Sequence, residues 1–193
     1  AVLVEPVQGE GGVRFPRPGY LAELKELCLK HDLLLIFDEV QVGMGRTGTL
    51  FAHEQEGVTP HIMTLAKALG NGLPIGAMLA VEEVAAAFVP GSHASTFGGT
   101  PLVTAAALEV VKVLSNPAFL GGVRETGAYF REKIEALRPR HPVIREVRGR
   151  GLMVGVELTV PGQKVVELCL ENGLIINCTH ENVLRFVPPL IVE

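Results

Sequence analysis

Cysteine is scarce here and poorly arranged for chemistry. Cys28, Cys169 and Cys178 are odd in number and none belongs to a C-x-x-C pair, which excludes a disulfide framework and a thiolate metal site as organising features. Long apolar runs are missing too. The most apolar continuous run, Leu33 to Phe37, is closed at once by Asp38 and Glu39 and falls far short of the ~20 residues a membrane helix needs. The formal net charge of -4 is spread along the chain and offers no basic patch to nucleic acid or to an anionic membrane. Six histidines lack metal-ligand spacing, and His53, His61 and His93 fall in loops where histidine is usually only solvated, so no metal is expected. There is neither an initiator Met nor a signal peptide: the chain opens inside the apolar run Ala1-Val2-Leu3-Val4 and closes directly after Leu190-Ile191-Val192. Both ends have the look of cuts, and a soluble protein of a reducing compartment, the cytoplasm, is the expectation.

What is present suits a packed body. In 193 residues, 48% hydrophobic and 20% charged, there is enough apolar side chain for a real core. Ala1 to Glu5 reads as a buried strand, Gln8 to Gly12 as a glycine-rich turn, and a helix opened by Pro18 carries Leu21, Leu24, Leu27 and Cys28 on its apolar stripe. Strands follow at Leu33 to Asp38, Ile62 to Leu65 and Gly76 to Ala80, with a short helix starting at Val81. This is a right-handed α/β pattern. The alanine-rich segment Pro101 to Leu114 is a strong helix former, and Ser115-Asn116-Pro117 breaks it before a helix from about Phe119 to Leu137, with Val123, Phe130, Ile134 and Leu137 on one face. The domain boundary belongs there. Beyond it come short strands at Ile144 to Val147, Leu152 to Glu157, Leu174 to Cys178 and Val183 to Phe186, with one helix at Gln163 to Glu171. The expectation is an α/β domain over residues 1–115 followed by a small α+β domain over 116–193.

Four places could carry chemistry. Asp38 ends a buried strand, where α/β sheets bind ligands, and Gln41 lies three residues on; an amide beside a carboxylate can orient an aromatic ring with a basic nitrogen and a phenolic oxygen. Equally, Asp38 and Glu39 could be a strand end meeting water. Lys67 sits in Leu65-Ala66-Lys67-Ala68-Leu69-Gly70 among residues that favour burial, and a desolvated lysine tends toward the neutral amine that forms Schiff bases. A surface lysine is the ordinary alternative. Gly43-Met44-Gly45-Arg46-Thr47-Gly48 has the spacing of a dinucleotide fingerprint, but Gly57 and Pro60 leave little room for the long helix that should follow, and the acidic residues precede the glycines. Ser95-Thr96-Phe97-Gly98-Gly99 can offer hydroxyls and amides to a phosphate, or be a plain polar turn.

Taken together, Glu5 to Gly12, Phe37 to Gly48, Leu65 to Gly70, Ser95 to Gly99, Arg148-Gly149-Arg150-Gly151-Leu152-Met153 and Leu184 to Leu190 resemble the class III aminotransferases, in order and spacing, over essentially the whole chain. Around Ile176 to Thr179 and Val183 to Phe186 the chain is most similar to the acetylornithine type. Thr100 and Arg150 depart from the usual Asn and Met and blur the subfamily slightly.

The resemblance implies a fold-type I enzyme that uses pyridoxal phosphate and works as a homodimer with active sites at the interface. The chain would comprise part of the large α/β domain and most of the small one. It implies Lys67 as the Schiff-base lysine and proton shuttle, Asp38 on the pyridine nitrogen, Gln41 on the phenolic oxygen, and Thr96 with Ser95 on the phosphate held by the neighbouring subunit. Arg185 would bind the α-carboxylate of glutamate or 2-oxoglutarate, with Glu10 masking it while an ω-amine reacts. The implied reaction moves the terminal amino group of N-acetylornithine to 2-oxoglutarate in arginine synthesis, with succinyldiaminopimelate as a second donor; ornithine, 4-aminobutyrate and a non-catalytic use of the same fold are the alternatives. The phosphate-gripping turn and the ring-stacking aromatic of such enzymes are absent from these residues, so the isolated chain is expected to be inactive.

Overall fold

The computed structural model describes all 193 residues. Strand β1 (Val2–Val4) leads through the glycine-rich turn to helix α1 (Tyr20–Lys30) and strand β2 (Leu35–Asp38). A turn-rich segment and a 3-10 segment (Ala52–Glu56) then reach β3 (Ile62–Leu65), and β4 (Ala77–Ala80) completes a four-stranded sheet of order β1-β2-β3-β4. β1, β2 and β3 are parallel, and β4 returns antiparallel. Parallel strands need a crossover, which α1 and the 39–61 segment supply. Leu35 and Phe37 point into a core with Leu21, Cys28 and Val58, as expected for a strand buried on alternate positions.

Short helix α2 (Glu82–Ala85) leads to α3 (Pro101–Leu114) and α4 (Pro117–Glu135). The second sheet is wholly antiparallel, order β5-β6-β8-β7, from β5 (Ile144–Arg150), β6 (Met153–Leu158), β7 (Asn177–Thr179) and β8 (Val183–Phe186), with α5 (Gln163–Glu171) between β6 and β7. No single helix is long and apolar enough to cross a membrane.

Several boundaries and exposures differ from the sequence reading, each for a visible reason. Helix α1 starts at Tyr20, not at Pro18, because Gly19 takes φ 82°, outside helical space. Leu27, placed on its apolar stripe, is half exposed, whereas Leu21 and Cys28 are buried. The break Ser115-Asn116-Pro117 is itself the start of α4: Asn116 Oδ1 accepts the Ala118 amide at 2.9 Å and Pro117 takes the first helical position. The strand expected from Leu174 shrinks to Asn177–Thr179, because Leu174 and Ile175 are exposed and only the later residues reach β8.

Arginines tie the two sheets together. Arg46, in the turn after β2, donates Nη1 to the carbonyls of Leu152 at 3.0 Å and Pro188 at 2.6 Å. Burial lowers its pKa to about 10, so it stays charged at neutral pH. Arg148 of β5 donates Nε to the carbonyls of Gly12 at 3.1 Å and Val13 at 2.9 Å, while its Nη1 meets the buried Glu157 at 2.8 Å. The glycine-rich turn is thus clamped from the second sheet. Helix α4 approaches as closely as backbone allows: a Cβ on Gly127 would lie 2.0 Å from the Gly151 carbonyl oxygen.

Candidate active site

Asp38 is the last residue of β2, in register with Thr64 of β3, so its carboxylate stands at the carboxyl edge of the parallel strands. Its Oδ1 accepts the Val40 amide at 2.9 Å and faces the Thr64 hydroxyl at 3.4 Å; Oδ2 has no partner within the chain. Thr64 went unnoticed in the sequence, though its place opposite Asp38 follows once the parallel register is known. Glu39 is not a strand end meeting water. Its side chain is fully buried and accepts from the Ala52 and His53 amides and from His53 Nδ1, each at 2.9 Å. The ring nitrogen facing a carboxylate carries the proton. His53 is therefore built in rather than solvated, and so is His61, whose Nδ1 accepts the Leu35 amide at 2.7 Å. Glu39 fixes the segment after β2 and with it the positions of Asp38 and Gln41.

Lys67 stands one residue beyond β3, after Ala66, and opens a 3-10 turn, Lys67–Leu69. It adopts φ 48°, a left-handed conformation that costs a non-glycine residue about 1–2 kcal/mol. Its side chain, however, is exposed, which corrects the expected desolvation: Leu65 and Leu69 turn into the core and leave the amine open.

Gln41 and Arg185 come together from the two sheets. Arg185 Nη1 donates to Gln41 Oε1 at 2.9 Å and lies 2.7 Å from Glu10 Oε1, and its Nε donates to Asn177 Oδ1 at 3.2 Å. The guanidinium is nearly buried, whereas Glu10 is 74% exposed. Hydrogen bonding and charge from Arg185 hold Glu10 below its usual carboxylate range, with smaller contributions from the Thr179 hydroxyl and the charge of Lys67. Thr179 also donates to the Glu10 carbonyl. A Cβ on Gly9 would lie 2.2 Å from Gln41 Oε1, so a side chain there would displace the Gln41 amide. Sequence reasoning gave Asn177 and Thr179 no role; no spacing rule links Asn177 to Arg185 or Thr179 to Glu10, and only the β7–β8 register places Asn177 opposite Arg185 while Thr179 reaches the Glu10 carbonyl.

Ser95 and Thr96 stand apart. Both are exposed, Ser95 Oγ accepts the Gly98 amide at 2.9 Å, and neither bonds to Lys67, Asp38, Gln41, Glu10 or Arg185. Arg185 and Asn177 also line an apolar cavity of 620 Å³ walled by Phe130, Ile175 and Phe186; Lys67 and Asp38 do not line it. No group of three His, Cys, Asp or Glu residues is placed to hold a metal ion.

A carboxylate and an amine thus stand at the carboxyl end of the parallel strands, and Gln41 joins that end to an arginine of the second sheet. Residues 1–193 match the family described as aminotransferase class-III, and the chain belongs to that family, whose members depend on pyridoxal phosphate. It is 52% identical over 193 residues to the acetylornithine aminotransferases of Caldanaerobacter subterraneus and Methanocaldococcus jannaschii, covering 100% of this chain but 49% and 48% of theirs. The chain thus spans about half the length of the curated relatives it matches. Among solved structures, Toxoplasma gondii ornithine aminotransferase aligns with a TM-score of 0.93 at 42% identity, over 99% of this chain and 47% of that one. The N-acetylornithine aminotransferase of Stenotrophomonas maltophilia gives 0.91 at 41%, over 99% and 51%.

Proposed function

We propose that the protein moves the terminal amino group of N-acetylornithine to 2-oxoglutarate, as an acetylornithine-type transaminase of arginine synthesis, with succinyldiaminopimelate as a further donor. The observation that carries this reading is the Glu10–Arg185 pair at 2.7 Å, bridged by Gln41 to the Asp38 end of the first sheet. Asp38, with Oδ2 free, and Gln41, with its amide nitrogen free, are suited to hold the ring nitrogen and phenolic oxygen of pyridoxal phosphate, and Lys67 to hold its aldehyde carbon. When bound, the cofactor supplies an electron sink that makes a proton on the amine-bearing carbon removable.

Lys67 Nζ would take that proton and hand it to the carbon that had been the cofactor's aldehyde. Arg185 grips the α-carboxylate of 2-oxoglutarate when Glu10 swings off it, and Glu10 neutralises Arg185 when the donor presents only its ω-amine. Residues 1–115 are read as part of the cofactor-binding domain and 116–193 as the smaller domain, a division supported by the two separate sheets. The exposed Ser95 and Thr96 suit a phosphate held by a second subunit in a cytoplasmic homodimer.

Ornithine is the second reading for the donor, favoured by the high structural similarity to ornithine aminotransferases. A panel of N-acetylornithine, ornithine and 4-aminobutyrate in donor half-reactions of the full-length protein decides between them. N-acetylornithine is expected to react fastest; a preference for either other amine overturns the assignment.

A further inference from the structure

Arg185 has more partners than masking by Glu10 requires, and the way they divide its edges restricts how a carboxylate can arrive. A guanidinium offers two forks: a side fork from Nε and Nη2, and an end fork from Nη1 and Nη2. Asn177 Oδ1 accepts from Nε at 3.2 Å, Gln41 Oε1 accepts from Nη1 at 2.9 Å, Glu10 sits 2.7 Å from the same Nη1, and Nη2 has no acceptor within the chain. Asn177 lies directly opposite Arg185 in the β7–β8 ladder, so the contact is fixed by strand register rather than by a mobile side chain reaching across. Its partner on the same strand, Thr179, is buried and ties down the Glu10 carbonyl, while Arg148 holds the Gly12 and Val13 carbonyls behind it. The turn that carries Glu10 is thus anchored on both sides, and the exposed Glu10 side chain is left as the movable part.

We propose that Asn177 is a positioning residue: by closing the side fork of Arg185 it commits the incoming dicarboxylate to the end fork, the edge that Glu10 covers. The substrate class is an oxo dicarboxylic acid bound end-on, and competition with Glu10 is built into the geometry because both need Nη1. This rests on the reading of Arg185 as the acceptor's carboxylate site.

The test uses the full-length holoenzyme and glutarate, a dicarboxylate that cannot be transaminated, with binding measured by calorimetry beside the two half-reactions. Asn177→Leu keeps the side chain's size and removes the acceptor. Its glutarate dissociation constant and its KM for 2-oxoglutarate are expected to rise about tenfold, with a much smaller change in the amino-donor half-reaction. Asn177→Asp keeps the acceptor but adds a charge beside the fork; it is expected to weaken glutarate too, by a factor that shrinks as salt is raised, whereas the factor for Asn177→Leu is independent of salt. Unchanged glutarate binding in both variants, or equal losses in donor and acceptor half-reactions, overturns the proposal. Arg185→Gln separates the two levels: if it also leaves glutarate binding unchanged, the carboxylate-site reading falls with the proposal, and if it abolishes binding while the Asn177 variants do nothing, only the positioning role falls.

Discussion

The two sheets hold their candidate site residues by different means. In the first, Asp38 and Lys67 are set by backbone: each sits at the carboxyl end of a parallel strand, and Asp38 is steadied by an amide and by Glu39 next to it, itself locked by three nitrogen donors. In the second, Arg185 is set by side chains from three separate elements, Asn177 on β7, Gln41 after β2 and Glu10 on the turn after β1. A cofactor that stays put suits the first arrangement. Substrates that alternate between carrying and lacking a carboxylate suit the second, where one member can leave without unfolding its neighbours.

This contrast can be broken at either end. Lys67→Ala is expected to slow both half-reactions of the full-length protein by at least about a thousandfold without altering glutarate affinity, because it removes the amine and its proton transfer but nothing that touches the carboxylate. Arg185→Gln is expected to cut 2-oxoglutarate affinity about a hundredfold, leaving the donor half-reaction far less affected; single-turnover kinetics separate the two. Removing the clamp behind the first sheet is a stability effect: Glu39→Ala leaves two backbone amides and the His53 ring without their acceptor in a buried site, and urea unfolding is expected to register a loss of about 3 kcal/mol.

Smaller effects sharpen the same comparison. Gly9→Ala forces its Cβ into the Gln41 amide and is expected to raise the KM for 2-oxoglutarate about fivefold by detaching Gln41 from Arg185. The smallest concerns pH. Glu10 has its pKa lowered from 4.5, first by its hydrogen bond to Arg185 and then by that residue's charge, so the pair is complete above the unperturbed value and is lost only as pH falls through the lowered one. Donor preference is therefore expected to be flat from about pH 8 to about pH 5, and a midpoint near neutrality would point to another group.

Much of the fold was legible because local signals agreed. The strand Ile62–Leu65 and the helices Pro101–Leu114 and Gln163–Glu171 have the bounds that propensity and breakers suggest. The misses have local causes: a left-handed Gly19 that delays α1, and Asn116 with Pro117 that cap a helix where a break was expected. At the candidate site, Asp38, Gln41 and Lys67 stand out in the residues themselves, and Glu10 and Arg185 only through the family resemblance. What motif order cannot supply is register, and register is what brings Asn177 to Arg185 and Thr64 to Asp38. Lys67 shows the opposite limit. Its apolar neighbours in sequence suggested burial, but they turn into the core while the amine stays in the open.

The central claim, that Lys67 is the amine that holds the cofactor, has one direct test. The full-length protein is saturated with pyridoxal phosphate, reduced with borohydride to make the link permanent, digested and mapped by mass spectrometry. The expected result is a phosphopyridoxyl group on the peptide containing Lys67 and its loss in Lys67→Ala. Stoichiometric label on another lysine, with Lys67 unmodified, would contradict it.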